Sequence, residues 1–150
     1  TNTGREIWED TEGKIDIFIS GIGTGGTFTG VSEYLKEKNS EISCVAIEPA
    51  ESNVLSGGTP GLHKIQGIGA GFIPAVLNKD YIDEIIQVTN EDAYEMTKKL
   101  IKSEGIFCGI SSGAAVYSAI KIAEKKENSG KMIVVILADT AERYLSTTLF

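Results

Sequence analysis

Apolar residues follow two different spacings along the 150-residue chain. Short unbroken apolar runs predict four strands, at residues 15–20, 43–47, 84–88 and 131–137. Stretches with apolar residues three or four positions apart predict helices at 3–11, at 28–38, from 90 to about 105, and from the turn at 109–113 to about 126. Continuous apolar runs are typical of strands covered on both faces of a parallel sheet. The alternation therefore predicts an α/β fold, a mostly parallel twisted sheet with helices on both faces in three layers.

The spacing within the helical stretches identifies the faces that we expect to be buried. Thr89 and Asp92 have the spacing of a capping box, which predicts the start of a helix after Thr89. The expected buried stripes are Phe28, Val31 and Leu35 in one helix, Ala93, Met96 and Leu100 in the next, and Ala115, Ala119, Ile122 and Ala123 in the last. The length is that of one domain and is enough to bury a core, so we expect residues 1–150 to form a single α/β domain.

Three turns fall where predicted parallel strands end, at residues 21–27, 109–113 and 138–140. Ligands of parallel α/β sheets lie beyond the carboxyl ends of the strands, so we expect these turns to meet at one site. The segment 50–72 has no periodicity and carries six glycines and the chain's single histidine. A loop of this length within a compact domain is usually functional or mobile.

Composition excludes several classes of function. The chain is 41% hydrophobic and 23% charged, with a formal net charge of −7, which argues against general affinity for nucleic acid or for anionic membranes. No apolar run approaches the roughly 20 residues that a membrane-spanning helix needs. Cys44 and Cys108 each lie within an apolar stretch, which indicates buried thiols in a reducing compartment, and we expect the cytoplasm. One histidine is too few for a histidine-based metal site, so no metal is expected.

The glycine-rich turn after the first strand has the composition of an anion site. It reads Gly-Ile-Gly-Thr-Gly-Gly-Thr from Gly21 to Thr27 and leads into a predicted helix. Glycines allow close approach of backbone N–H groups, and the first helical turn leaves several of them unpaired beside a partial positive charge. Thr24 and Thr27 add hydroxyl donors. The pattern predicts a phosphate-binding turn.

Two other interpretations of this turn stay open on pattern alone. Gly21, Gly23 and Gly26 satisfy the dinucleotide-binding fingerprint, and Glu48 ends the next strand where a ribose-binding acid is expected, which favours a nicotinamide-dependent oxidoreductase. Against it, Pro49 follows Glu48 directly, and the threonine hydroxyls suit a terminal phosphate better than a bridging pyrophosphate. The remaining alternative is a tight glycine turn that binds no ligand.

Four motifs occur in an order that is more specific than the glycine turn. They are Gly-Thr-Gly-Gly-Thr at 23–27, His-Lys-Ile-Gln-Gly-Ile-Gly-Ala-Gly-Phe at 63–72, Gly-Ile-Ser-Ser-Gly-Ala at 109–114 and Glu-Arg-Tyr-Leu-Ser-Thr at 142–147. Together they resemble the cysteine synthase (O-acetylserine sulfhydrylase) family of fold-type II pyridoxal-phosphate enzymes over essentially the whole chain. One departure is Ala141, where the family usually has glycine.

The resemblance implies a role for each matching residue. Gly23, Thr24, Gly25, Gly26 and Thr27 match the family's cradle for the 5′-phosphate of pyridoxal phosphate. Ser111 matches the serine that meets the pyridine nitrogen, although the alternative for Ser111 or Ser112 is a plain helix N-cap, which serine commonly is. Gln66, Gly67 and Ile68 match the loop that faces the amino-acid substrate. The implied reaction replaces the acetoxy group of O-acetylserine with sulfide to give cysteine.

The resemblance also identifies what this chain lacks. The family's Schiff-base lysine lies in a Ser-x-Lys-Asp-Arg motif, and a Thr-Ser-Gly-Asn-Thr stretch binds the substrate carboxylate; neither occurs here. We therefore expect a C-terminal piece, starting at Thr1 and comprising most of the large domain, with no catalytic residue of its own. Lys64 matches a non-catalytic loop position, and His63 is expected to be a structural hydrogen-bonding residue.

The resemblance also indicates two protein partners. The resemblance implies a homodimer for the intact enzyme, and a cleft that accepts the C-terminal tail of serine acetyltransferase. A non-catalytic module that binds such a tail is therefore the alternative to an enzyme.

Overall fold

The computed structural model describes residues 2–147. Within these residues, four helices and four strands follow one another, with short 3-10 turns between them. The elements are α1 (Asn2–Asp10), β1 (Ile17–Gly21), α2 (Gly26–Lys38), β2 (Ser43–Pro49), β3 (Glu84–Val88), α3 (Asn90–Glu104), α4 (Ile110–Ala123) and β4 (Ile133–Val135). The predicted number and order of helices and strands are confirmed for this part of the chain.

The strands form one parallel sheet in the order β3-β2-β1-β4. Ile17 of β1 pairs with Ser43 of β2 on one side and with Ile133 of β4 on the other. The chain moves outward from β1 through β2 to β3 and then returns to the opposite side of β1. The strand order therefore reverses between β1 and β4, and the carboxyl ends of these two strands flank the crevice that ligands favour in such sheets.

Side chains alternate between two cores along each strand. Ile17 and Ile19 of β1 join the core under α3 and α4, whereas Phe18 joins the core under α1 and α2. Both cores contain buried aliphatic and aromatic side chains, as expected for strands covered on both faces. The predicted three-layer arrangement is confirmed.

Several predicted details are wrong in ways that tertiary contacts explain. The last helix ends at Ala123 rather than near 126, and the Asn128 side chain donates to the Ile122 carbonyl at 2.8 Å where the helix ends. Ala123 is exposed, and Ser118 is buried instead. Strand β4 spans only Ile133–Val135.

Helix α3 begins as predicted but differs in its buried stripe. The Thr89 hydroxyl accepts the Asp92 N–H at 3.1 Å, and Asp92 accepts from the same hydroxyl rather than from the cap backbone. Thr97 is fully buried where the apolar spacing predicted Met96, because its hydroxyl donates to the Ala93 carbonyl at 2.7 Å and is thereby satisfied within the core.

Candidate functional site

The glycine turn after β1 places backbone donors that have no helical acceptor at the start of α2. Gly25 occupies the N-cap position with φ +85°, a left-handed conformation that favours glycine. The first helical hydrogen bond runs from the Thr29 N–H to the Gly25 carbonyl at 3.0 Å. The three preceding N–H groups, from Gly26 to Phe28, therefore have no acceptor within the helix and point out of its positive end.

A second loop packs directly against this turn. The Gly69 N–H donates to the Ile22 carbonyl at 3.0 Å, and a Cβ on Gly23 would lie 2.3 Å from the Gly67 carbonyl oxygen. A side chain at position 23 would therefore separate the two loops. The glycine requirement here reflects close approach of two backbone segments, and it brings Gln66, Gly67 and Ile68 beside the predicted phosphate turn.

The start of α4 forms the opposite wall, together with the residues that follow β4. Helix α4 begins at Ile110 with Gly109 as its N-cap, so the alternative that Ser111 or Ser112 is a plain N-cap is wrong. The Ser111 hydroxyl instead donates to the Asp139 carboxylate at 2.7 Å, and Ser111 is 9% exposed. The 109–113 and 138–140 turns therefore meet, as the strand pattern predicted.

These four segments enclose one cleft of about 280 Å³ at the crevice between β1 and β4. Every residue predicted for cofactor or substrate binding lies in its wall except Gly26, whose N–H faces Thr24 Oγ1 at 3.4 Å. The wall comprises Ser20, Gly21, Gly23, Thr24, Gly25, Thr27, Phe28, Gln66, Gly67, Ile68, Ser111, Ile136, Ala138, Asp139 and Arg143.

Two charged residues of this wall were not among the predicted site residues. Asp139 and Arg143 are its charged side chains within the described part of the chain. A signal for Asp139 existed in the sequence, since the 138–140 turn follows the last strand and was expected at the site. The sequence pattern did not distinguish Asp139 from the many other acidic residues of this chain.

Burial raises the pKa values of two groups near Asp139. Tyr144 is 3% exposed and donates its hydroxyl to Asp139 Oδ2 at 3.0 Å. Desolvation, reinforced by the nearby Asp139 charge, raises the pKa of Tyr144 to about 12. Burial likewise raises the pKa of the Cys108 thiol. Both groups therefore stay protonated at neutral pH.

The cleft wall contains no lysine among the residues that the structure describes. Lys64 is exposed and lies against Asn90, Glu91 and Tyr94, away from the cleft. His63 links two parts of its own loop: its Nδ1 accepts the Ile65 N–H at 3.2 Å, which leaves Nε2 to donate to the Gly69 carbonyl at 2.8 Å. Neither side chain is placed for the chemistry of a catalyst.

Glu48 does not have the geometry of a ribose-binding acid. It is 1% exposed, and its carboxylate accepts the Leu55 N–H at 2.8 Å and the Ser56 N–H at 3.1 Å. The Ser56 hydroxyl also donates to it. The Glu48 carboxylate is thus hydrogen-bonded to the start of the long loop and is not available to bind a ribose. The sequence argument for a dinucleotide site therefore no longer holds.

Other classes of site find no counterpart in residues 2–147. They contain no group of three or more His, Cys, Asp and Glu side chains placed to hold a metal ion. No helix of this part is long and apolar enough to cross a membrane. Cys44 and Cys108 are buried free thiols.

The fold and the cleft define a class: a doubly wound α/β protein with a candidate anion-binding cleft at the switch point of its parallel sheet. A family model described as "Pyridoxal-phosphate dependent enzyme" matches residues 1–139. The chain belongs to this family.

Known proteins of similar sequence include cysteine synthases. The chain is 52% identical to cysteine synthase A of Escherichia coli K12 and 56% identical to cysteine synthase of Buchnera aphidicola, in each case over 99% of this chain and 48% of the relative. It is also 53% identical to the solved cysteine synthase of Entamoeba histolytica, with a TM-score of 0.97, over 99% of this chain and 44% of that one. The chain thus spans about half the length of the relatives it matches.

Proposed function

We propose that this chain is the C-terminal, cofactor-phosphate-binding part of a cysteine synthase. In this proposal the whole enzyme replaces the acetoxy group of O-acetylserine with sulfide and depends on pyridoxal phosphate. One observation carries the proposal: backbone donors of the glycine turn, the Ser111 hydroxyl and the Gln66–Ile68 loop line a single cleft. The family match and the similar cysteine synthases support it.

The residues present fit the phosphate of the cofactor. The N–H groups of Gly26 and Thr27, which have no acceptor within the helix, and the exposed hydroxyls of Thr24 and Thr27 offer several donors at the positive end of α2. A Cβ on Gly23 would meet the Gly67 carbonyl oxygen and one on Gly25 would meet Leu77, so both positions of the turn favour glycine. These residues would hold the phosphate through backbone geometry, which an acidic chain needs because its overall charge repels anions.

Ser111 would face the ring nitrogen. When bound, pyridoxal phosphate supplies a ring that withdraws electrons from the substrate. A hydroxyl has no charge with which to hold that nitrogen protonated, so Ser111 keeps the withdrawal moderate and favours loss of a β-leaving group over transamination. Gln66, Gly67 and Ile68 would contact the amino acid, and the open space beside Gly67, whose φ is +91°, leaves room for a substrate there.

We also propose that the isolated chain cannot complete the reaction, because it lacks the family's Schiff-base lysine motif. Borohydride reduction in the presence of pyridoxal phosphate is expected to leave no single lysine specifically labelled, as read by peptide mass spectrometry. Adding the N-terminal half of E. coli cysteine synthase A as a separate polypeptide is the matching gain-of-function test. Cysteine formed only by the mixture supports the proposal, and stoichiometric labelling of one lysine in the isolated chain contradicts it.

Thermal unfolding tests the cofactor assignment directly. A ligand at 100 times its dissociation constant adds about 2.7 kcal/mol of stability, which corresponds to a rise in Tm of about 5–10 °C for a domain of this size. Pyridoxal phosphate is expected to give this rise, and NAD is expected to give none. The opposite pattern would support a nicotinamide-binding site instead.

The partner and the compartment are proposed on separate observations. A second, mostly apolar cavity of about 430 Å³ lies beside the cleft and shares Gly23, Thr24, Gly67 and Ile68 with it. It suits the C-terminal tail of serine acetyltransferase, which peptide titration with a scrambled peptide as control would test. We propose a homodimer for the intact enzyme and, from the buried thiols Cys44 and Cys108, a cytoplasmic location.

A further inference from the structure

Asp139 collects hydrogen bonds from three side chains at the cleft wall. Its Oδ1 accepts from the Ser111 hydroxyl at 2.7 Å and from the Ser112 hydroxyl at 2.8 Å, and the Ser112 N–H lies 3.3 Å away. Its Oδ2 accepts from the Tyr144 hydroxyl at 3.0 Å. An ionised carboxylate only accepts, so all of these groups direct their protons toward Asp139.

The backbone around Asp139 is built to admit this carboxylate. The Gly109 N–H donates to the Asp139 carbonyl at 3.1 Å, and a Cβ on Gly109 would lie 1.9 Å from Asp139 Oδ2. Any side chain at position 109 would therefore displace the carboxylate. The positive end of α4 also favours a negative charge at this place. Asp139 thus joins the segment after β4 to the start of α4, on the side of the cleft that carries Ser111.

We propose that Asp139 is a positioning residue that holds the Ser111 hydroxyl at the place where the ring nitrogen of the cofactor binds. This inference rests on the proposed function. A serine side chain has three staggered rotamers, and a charge-assisted hydrogen bond of 2.7 Å selects one of them before the ligand arrives.

The other donors explain how Asp139 can share the Ser111 proton with a ligand. In a three-centre hydrogen bond the Ser111 hydroxyl would stay on Asp139 while it also faces a ring nitrogen, and Asp139 keeps the Ser112 hydroxyl, the Ser112 N–H and the Tyr144 hydroxyl. The carboxylate is therefore not left unpaired, which would otherwise oppose binding. The raised pKa of Tyr144, about 12, keeps that hydroxyl a donor over the working pH range.

The test compares two ligands that differ at the ring nitrogen alone. Pyridoxine 5′-phosphate and its benzene-ring analogue carry the same phosphate and have no aldehyde to react with lysines. Calorimetric titration gives both dissociation constants, and their ratio reports the contact with the nitrogen. The wild-type chain is expected to prefer pyridoxine 5′-phosphate, and Ser111→Ala is expected to lower that preference about fivefold, the typical worth of one neutral hydrogen bond.

Asp139→Ala is expected to lower the preference for pyridoxine 5′-phosphate as much as Ser111→Ala does. The double variant, with both substitutions, is expected to show no further loss of preference than Ser111→Ala alone. Asp139→Asn keeps one acceptor oxygen, so we expect its preference to lie between those of the wild-type chain and Asp139→Ala. This variant also provides the test if Asp139→Ala does not fold. Ser118→Ala is the matched control, because Ser118 lies on the same helix but its hydroxyl donates to the Ala114 carbonyl within the core.

The outcomes separate this inference from the proposed function. If the Asp139 variants weaken both ligands equally and leave the preference unchanged, the role of Asp139 is structural and the inference is overturned. If the wild-type chain binds both ligands equally well, the ring nitrogen does not meet Ser111 and the inference fails while the phosphate site stands. If neither ligand binds the wild-type chain, the proposed function itself is contradicted.

Discussion

Replacing Gly26 with aspartate separates ligand binding from folding. Gly26 is the first residue of α2, and a Cβ there meets only Thr24 Oγ1, at 3.7 Å, so the structure has room for a side chain. Carboxylates in the first turn of a helix are stabilising by about 0.3–1 kcal/mol. We therefore expect Gly26→Asp to fold with an unchanged or slightly higher Tm.

The same carboxylate would lie beside the N–H groups that are proposed to hold the cofactor phosphate. Two unit charges about 6 Å apart repel by about 3 kcal/mol at an effective dielectric constant of about 20. The turn is partly exposed, which reduces this figure, so we take about 1.4 kcal/mol as the smallest expected loss. That is a tenfold weaker affinity.

Calorimetric titration with pyridoxine 5′-phosphate measures the effect, and Gly26→Asn is the matched control because it has the same shape without the charge. The aspartate variant is expected to bind at least tenfold more weakly than the asparagine variant, with a smaller difference at high salt because the charges are then screened. Affinities within twofold of each other at low salt would refute the placement of the phosphate. A salt-independent loss of equal size in both variants would show that crowding, not charge, is responsible.

Three further substitutions test the framework of the cleft. Gly25→Ala is expected to lower stability by about 1–2 kcal/mol more than Gly57→Ala in urea unfolding, because both have φ near +85° but only Gly25 is crowded. Glu48→Gln is expected to cost about 1–3 kcal/mol of stability, since a buried acceptor of backbone N–H groups is weakened, without creating affinity for NAD in a thermal-shift assay. The pKa of Tyr144 is about 12 in the folded chain, against an ordinary value of about 10. Its contribution to stability is therefore complete below pH 10 and is lost as the pH rises toward 12. Tyr144→Phe is expected to flatten this loss of stability when unfolding is measured as a function of pH.

Local patterns in the sequence were sufficient for most of the fold. Apolar runs and helical spacing depend on neighbours within a few residues, so strand β3 and the start of α3 were predicted at their observed positions. The end of α4 was missed because the Asn128 side chain, which donates to Ile122, returns from outside the helix. The extent of β4 was missed because its apolar run continues past the residues that pair with β1.

The site residues, like the fold, were predictable where the signal is local and were missed where it depends on distant parts of the chain. Glycine turns and the Ser111 motif are local signals, and the strand order brought them together as expected. Asp139 lies 28 residues from Ser111 along the chain, and only the folded arrangement shows that their side chains meet. Glu48 ended a strand where a ribose acid is expected, but its burial against Leu55 and Ser56 depends on the path of the long loop.

A crystal structure of the chain with pyridoxal phosphate would locate the cofactor. We expect its phosphate at the start of α2, against the N–H groups of Gly26 and Thr27, with the ring nitrogen opposite the Ser111 hydroxyl. Pyridoxal phosphate bound elsewhere on the molecule, with this corner empty, would contradict this placement.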